Sequence, residues 1–438
     1  MSEGVVGSLR ASLSIDSARA PVGQARDYSG VARHFLFISA PFGPFARELA
    51  RFLEKQGATC TRVVVNAGDA LDWGFKNAAA YFGDERGWCD WLQSLIERTG
   101  VTDLVTYGDS SPYSVKALML GQSLNLRLYV FEQGYFRPDW VTLERGGVNA
   151  NSRLPRDPDW YHRNAARLEP KETARVGRTT PAMVARIISY HTAMYAGLPF
   201  FSRFRAPYHY SAIRQAIGHC QRYAEQRLSS AKRRRMQQAL IDSKRPLYLV
   251  LLQRPGDSQL WRHSDFECTE AFLEKVVTSF AAQAPEEAML LVRPHPLDHG
   301  LDDHEAVLAR LAARAGVDGR IHFVDHGKLH EILPLMSGAV CVNSTAGLAA
   351  VEFGKPTVVL GRALYDMPGL THQDGIDSFW RSPQAPDPRL YDAFRQVMMA
   401  TTQINGAYAT RRGRSLAVPE AAARLLHDDR NEAFNPSV

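Results

Sequence analysis

Between residues 338 and 360 the chain changes chemistry four times in quick succession. Gly338-Ala339-Val340-Cys341-Val342 is apolar, too short for a helix and rich enough in β-formers for a buried strand. It stops at Asn343-Ser344-Thr345-Ala346-Gly347, which combines helix N-cap types with small side chains. An amphipathic segment over 348–353 follows and is closed by Gly354-Lys355-Pro356, after which 357–360 is apolar again. Strand, polar loop, helix and strand in that order predict a parallel sheet. Loops at the carboxyl ends of parallel strands aim N–H groups and hydroxyls at anions, with the helix dipole adding to the attraction. Asn343, Ser344 and Thr345 are therefore candidate phosphate or nucleotide ligands. The plainer alternative is an ordinary turn capped by Ser344 or Thr345.

The same grammar recurs along the chain. Apolar runs at 34–40, 61–66, 103–107 and 126–131 predict strands in the first half, and 246–252, 289–292 and 321–324 extend the set in the second. Helices are predicted at 45–55, 269–282 and 305–315. Such alternation implies parallel sheets with right-handed crossovers. Residues 181–243 show helical periodicity and no strand, and a length of 438 residues exceeds one ordinary core. The expected fold is α/β and GT-B-like, with two doubly wound Rossmann-like domains facing across a cleft. Its expected parts are a flexible tail (1–30), an N-terminal acceptor and catalytic domain (31–243, with the helical segment 181–243), a C-terminal nucleotide-sugar domain (244–375) and a C-terminal helical segment (376–438) that packs back across the first domain or the cleft.

Composition narrows the partners. Hydrophobic residues make up 45% and charged residues 22%, ordinary values for a globular protein. No apolar run is long enough to span a bilayer, and the first residues lack the basic start and apolar core of a secretory signal. Five scattered cysteines without a CxxC pair suit reduced thiols in the cytoplasm. The net charge of +6 favours an anionic substrate or an acidic membrane surface, and no nucleic-acid motif accompanies it. Its densest point, Lys232-Arg233-Arg234-Arg235, reads as a solvated helix face or a contact with lipid head groups.

Polar residues that follow strands are the candidates for chemistry. Asp109 follows 103–108 in YGDSSPY, and Glu132 follows 129–131 in FEQGYFRPDW. A carboxylate pair on a sheet's carboxyl edge supplies a nucleophile or base and a stabiliser for an oxocarbenium-like transition state. Alternatively, Asp109 caps the next helix and Glu132 pairs with Arg137. In the second half, Gln253, Asp257 and Gln259 lie on the turn after 246–252, and Arg293 and His295 lie in RPHP, where prolines stiffen the backbone. A histidine held this way can hydrogen-bond a phosphate. Asp298, His299, Asp302, Asp303 and His304 depart from HExxH spacing, and no metal site is expected. P-loop, GxGxxG and GxSxG patterns are missing, which counts against an ATPase, a dinucleotide dehydrogenase and an α/β-hydrolase.

Five segments in order, YGDSSPY, VFEQGYFRPDWVTLE with GGVNANS after it, LLQRPGDSQL, RPHPLDHG and the run from Val342 to Thr371, resemble the capsule polysaccharide biosynthesis and export family, and within it the KpsS-type β-Kdo transferases. The resemblance covers about 34–371 and implies a metal-independent, retaining transfer of Kdo, an acidic octulosonic sugar, from CMP-Kdo to a phosphatidylglycerol-type lipid. It implies no cofactor beyond that donor substrate. The enzyme would sit in the cytoplasm, peripheral to the inner membrane, with the capsule biosynthesis and export complex as partner. Carried over by motif, Asp109 becomes the nucleophile and Glu132 its assistant or a sugar ligand. Gln253, Asp257 and Gln259 line the donor pocket, His295 contacts the donor phosphate, and Asn343, Ser344 and Thr345 complete the CMP site. Three stretches depart from the family pattern. The loop after Asp109 is usually Cys-Arg-Pro-Tyr-His and here is Ser110-Ser111-Pro112-Tyr113-Ser114, FEEGY is FEQGY, and the middle of the Gln253 loop is Arg254-Pro255-Gly256. The alternatives are a different donor on the same scaffold, a polyol-phosphate transfer, or a non-catalytic export component that binds the glycolipid.

Overall fold

The computed structural model describes residues 32–177, 180–205, 210–256, 260 and 262–427, without the side chains of 230 and 232. The tail expected at 1–30 lies outside the described residues, as do Asp257 and Gln259.

Two α/β units carry the chain. The first contains β1 (His34–Phe37), β2 (Thr59–Val64), β3 (Ala78–Ala80), β4 (Asp103–Tyr107), β5 (Arg127–Gln133) and β6 (Trp140–Arg145). Its order β3-β2-β1-β4-β5 is parallel throughout, and β6 adds antiparallel to β5. Side-chain alternation divides these strands between two cores. Phe35 and Phe37 face the core that holds Leu49 and Leu53 of α1 (Phe45–Lys55). Leu36 and Ile38 face the other, with residues of α3 (Trp88–Thr99) and α4 (Pro112–Ser123). Helix α2 (Ala67–Trp73) follows β2 and is capped by Asn66, whose side chain accepts from Asp69 N–H.

Three helices then lead to the second unit: α5 (Pro158–Ala165), α6 (Pro181–Ala196) and α7 (Ala212–Asp242). The second sheet holds β7 (Leu247–Leu251), β8 (Met289–Arg293), β9 (Ile321–Phe323), β10 (Gly338–Cys341) and β11 (Thr357–Val359), all parallel, in the order β11-β10-β7-β8-β9. Both sheets thus repeat one winding. The first strand sits inside, and the chain reverses direction beside it, at β1/β4 and at β7/β10. Helices α8 (Thr269–Gln283) and α9 (His304–Arg314) cover one face, and α10 (Thr345–Glu352) with the end of α7 covers the other. The architecture is the GT-B-like, two-sheet arrangement expected.

The chain after the second sheet is not wholly helical, as the sequence had suggested. Between α11 (Pro388–Thr401) and α12 (Arg411–Leu426), the strand β12 (Gln403–Asn405) pairs antiparallel with β6 and completes the first sheet. Helix α12 packs on α1 through Ala417, Ala421 and Leu425. A further core joins Tyr135 and Tyr161 of the first unit, Leu348 and Val351 of α10, and Phe394 and Val397 of α11. The two units therefore share apolar contacts on one side of the cleft that opens between them.

Candidate functional site

That cleft has a volume of about 530 Å³. The first unit contributes residues 135–137, 139 and 140 of the β5–β6 connection, and the second contributes the carboxyl ends of β7 and β8 and the start of α10. The Ser344 side chain caps α10 by accepting from Ala346 N–H at 3.2 Å, so the capping role foreseen for it is real. Cap and cleft coincide, because Ser344, Thr345 and Ala346 all line the cavity. Arg137, Arg175, Arg293 and Arg395 line it too, against the acids Asp139 and Glu352. Asp139 is already paired, accepting from Arg175 Nη1 at 3.0 Å. A helix N-terminus and an excess of guanidinium groups give this cleft a positive lining that would favour an anion.

His295 lies on the same wall. Leu297 N–H donates to its Nδ1 at 3.0 Å, which leaves the proton of the neutral ring on Nε2. Burial, reinforced by Arg137 and Arg254, pushes its pKa down to about 4, so near pH 7 it is a neutral N–H donor. Arg293 donates to His326 O at 2.7 Å and Gly327 O at 2.5 Å, which anchors its guanidinium at the cleft edge. Gln253 and Asn343 stand at the β7/β10 winding reversal, where Gln253 Nε2 donates to Asn343 Oδ1 at 2.6 Å. They adjoin the lining residues Leu252 and Ser344 in sequence. Asp257 and Gln259 fall outside the described residues.

Asp109 stands at the other reversal, β1/β4, outside the cleft lining. Gly108 makes the turn with a φ of +71°, a region that favours glycine. Asp109 does not cap α4; Ser111 does, accepting from Ser114 N–H at 3.2 Å. Only 5% of Asp109 is exposed, and its Oδ2 accepts from Val148 N–H at 3.0 Å and from Asn151 Nδ2 at 2.9 Å. Its Oδ1 is buried without a hydrogen-bond partner among the described residues. Glu132 does not pair with Arg137, whose Nε donates instead to Gly134 O; Glu132 Oε1 accepts from Gln133 N–H at 2.8 Å.

Two residues in the field of Asp109 were not among the sequence candidates. His263 comes from the second unit, after β7. Both its ring nitrogens are buried and unpartnered among the described residues. Burial pushes its pKa down to about 4 against the opposing field of Asp109, while Arg362 and Arg262 push the same way as burial. Arg262 also lies in the field of Asp109, so a cation and an imidazole of the second unit share that field. Glu144, on β6, is the other. Burial pushes its carboxyl up to about 8; the Ser152 hydroxyl bonded to it opposes that shift and Asp109 adds to it. Tyr135, buried and on the cleft lining, lies in the field of Glu144, Asp109 and Glu132 in that order. A signal for Glu144 was present: a lone acid at the end of the β-forming run Trp140-Val141-Thr142-Leu143. Nothing local pointed to His263.

The Glu144 shift sets a pH dependence. From the ordinary carboxylate range up to about 8, the folded state keeps a proton that the unfolded chain has lost, so stability falls as pH rises. Glu144→Gln removes that slope. Its thermal midpoint at pH 8 should exceed that of the wild type by about 2–4 °C, with a smaller difference at pH 5. Parallel melting curves for the two proteins would contradict the burial of a neutral acid.

Among the described residues, no group of three or more His, Cys, Asp or Glu side chains is placed to hold a metal ion. Asp298 and His304 approach at 3.6 Å, and Asp298 also pairs with Arg222. No helix among the described residues is long and apolar enough to cross a membrane.

Residues 102–408 match the family model described as Capsule polysaccharide biosynthesis protein. The chain is 31% identical over 380 residues to the Capsule polysaccharide export protein KpsS of Escherichia coli, an alignment spanning 86% of this chain and 97% of that one. It is 32% identical over 394 residues to the Capsule polysaccharide modification protein LipB of Neisseria meningitidis serogroup A, covering 86% and 92% of the two chains. Among solved structures, Thermosulfurimonas dismutans KpsC, a beta Kdo 2,7 transferase, aligns with a TM-score of 0.43 at 12% identity, over 91% of this chain and 100% of that one.

Proposed function

Because the chain belongs to the capsule polysaccharide biosynthesis protein family, we propose that it is a glycosyltransferase of capsule assembly that moves Kdo from CMP-Kdo to a phosphatidylglycerol-type lipid with retention. The observation that carries this reading is the cationic cleft, where four arginines, the neutral N–H of His295 and the start of α10 converge. CMP-Kdo bears a phosphate and a carboxylate, and such a cleft suits both.

In this scheme the Asp109 carboxylate attacks the anomeric carbon through its unpartnered Oδ1. The bond to the phosphate oxygen breaks, and CMP leaves with its new charge held by the α10 N–H groups and His295. A lipid hydroxyl then displaces Asp109 and gives up its proton. His263, neutral and in the field of Asp109, is the base we assign to that proton. Glu132 and Tyr135 would hold the sugar. Cytoplasmic placement at the inner membrane and a partnership with the export machinery belong to the same proposal.

A second reading has one observation in its favour. Asp109 Oδ2 ties down the 148–151 loop through two hydrogen bonds, the work of a structural carboxylate. On that view the protein binds a capsule glycolipid for export and transfers nothing. The deciding experiment supplies CMP-Kdo to the purified protein with and without a short-chain phosphatidylglycerol and measures CMP release. Acceptor-dependent release supports the transferase, and CMP binding without release supports the second reading. His295→Ala should weaken CMP binding by about tenfold, as loss of one hydrogen bond to a charged group predicts. Unchanged affinity in isothermal titration would remove His295 from the donor site.

A further inference from the structure

A surface helix normally buries its apolar stripe and shows its charges. Over residues 213–233 helix α7 does the reverse, and only its end packs Met236, Leu240 and Ile241 into the core. Its inward side is polar: Arg222 Nη1 donates to Asp298 O at 2.6 Å, Gln226 Nε2 to Asp325 Oδ2 at 3.4 Å and Arg233 Nη2 to Glu305 Oε2 at 3.0 Å. Gly218 on that side lies so close to His299 O that a Cβ there would sit 2.3 Å away. The opposite side presents Ile213, Ile217, Cys220, Ala224, Leu228 and Ala231 at helical spacing, all exposed. Ile217 is 52% and Leu228 88% exposed. Arg227, Arg234 and Arg235 flank this stripe in exposed positions, and Glu225 is the exposed acid nearest to it.

Helix α6 behaves alike. Its inward face is polar, with Arg186 paired to Asp72 at 2.9 Å and the Tyr190 hydroxyl donating to Asp69 at 3.1 Å. Outward it shows Val184 and Ile188, and no exposed residue from 181 to 200 is charged. Phe200 beyond its end is 75% exposed. The two helices meet where Ala212 N–H donates to the Tyr195 hydroxyl at 3.0 Å.

We propose that the outer face of α7, continued by α6, is a docking surface for an anionic lipid bilayer, with α7 lying in the plane of the head groups. A narrow apolar stripe edged by arginines of one sign is the pattern of an interfacial helix. The apolar side chains enter the acyl boundary, and the guanidinium groups reach outward to lipid phosphates. Of the basic run at 232–235, Arg234 and Arg235 serve this face, whereas Arg233 turns inward to Glu305 and Asp325. The same helix also touches the cleft. Arg254 Nη2 donates to Gln215 Oε1 at 2.5 Å, and Arg222 Nη1 reaches His295 O at 3.5 Å. Docking through α7 thus places the bilayer beside the donor cleft, where a lipid acceptor has to arrive. For that acceptor the inference rests on the transferase reading; the surface itself does not.

The test is co-sedimentation of the full chain with phosphatidylcholine vesicles, with and without phosphatidylglycerol, beside CMP release on a soluble short-chain acceptor. Wild type should partition onto the phosphatidylglycerol vesicles and lose affinity as salt is raised. Ile217→Asp/Leu228→Asp and Arg234→Glu/Arg235→Glu should each lower the partition coefficient by at least about tenfold, with release on the soluble acceptor unchanged. Equal partitioning of wild type and both variants overturns the proposal, as does failure of wild type to bind. A dimer in light scattering that Ile217→Asp/Leu228→Asp splits also overturns it, since the face would then join two copies. Release on the soluble acceptor without vesicle binding removes the surface and leaves the transferase. Vesicle binding without release does the opposite.

Discussion

Asp109→Asn should lower acceptor-dependent CMP release by at least about a thousandfold while leaving CMP affinity nearly unchanged. The geometry makes this substitution unusually clean. Both structural hydrogen bonds, from Val148 N–H and Asn151 Nδ2, fall on Oδ2. An asparagine can accept both through its single amide oxygen, so the 148–151 loop keeps its tether. What it loses is the second oxygen, the buried Oδ1 that no described residue engages. A nucleophile would be lost and a scaffold retained. CMP affinity should survive because the cationic cleft belongs to other residues. If the variant turns over like wild type, Asp109 is the structural carboxylate of the second reading. If CMP binding collapses instead, it serves the nucleotide and not the sugar.

His263→Leu should cost on the order of a hundredfold in release and nothing in stability; its thermal midpoint should equal or exceed that of the wild type. A buried imidazole that leaves both nitrogens unsatisfied is a burden on folding, since each lost water contact goes uncompensated. A side chain of similar size and no polarity removes that burden. The depressed pKa gives the same effect a sign in pH. From the ordinary histidine range down to about 4 the unfolded chain takes up a proton that folded His263 refuses, so wild type loses stability on acidification. His263→Leu should soften that acid limb, although His295 contributes a similar one. A histidine with a merely structural role would produce the opposite pair of results: a lower midpoint and retained release.

The contrast between these two residues shows what the sequence could carry. Asp109, His295 and Ser344 were visible because each follows a strand whose apolar run is itself visible, and a parallel sheet delivers such positions to one edge. The strands β7, β8 and β10 stand out for a related reason, being buried nearly throughout and therefore apolar nearly throughout. Strands β3 and β12, Ala78-Ala79-Ala80 and Gln403-Ile404-Asn405, carry no such signal. Their neighbours' open edges make them strands. Alternation along the chain also gave no hint that β6 would turn antiparallel, because the direction of an edge strand is set by the length and path of its connection. Glu144 was obscured by sitting on that unrecognised strand. His263 enters the field of Asp109 only through the docking of one unit on the other, a long-range event that no local window contains.

Strand β12 has a consequence for how the protein is made. Gln403 hydrogen-bonds Thr142 across 261 residues of sequence, so the outer edge of β6 has no β12 to pair with until those residues have been synthesised. At about 5–20 residues per second that interval is roughly 13–50 s. Meanwhile the nascent first sheet exposes backbone donors and acceptors along Trp140–Arg145, a template for pairing with another chain. Chains that stop short of residue 403 should accumulate as aggregates, even though they contain every residue assigned here to the chemistry.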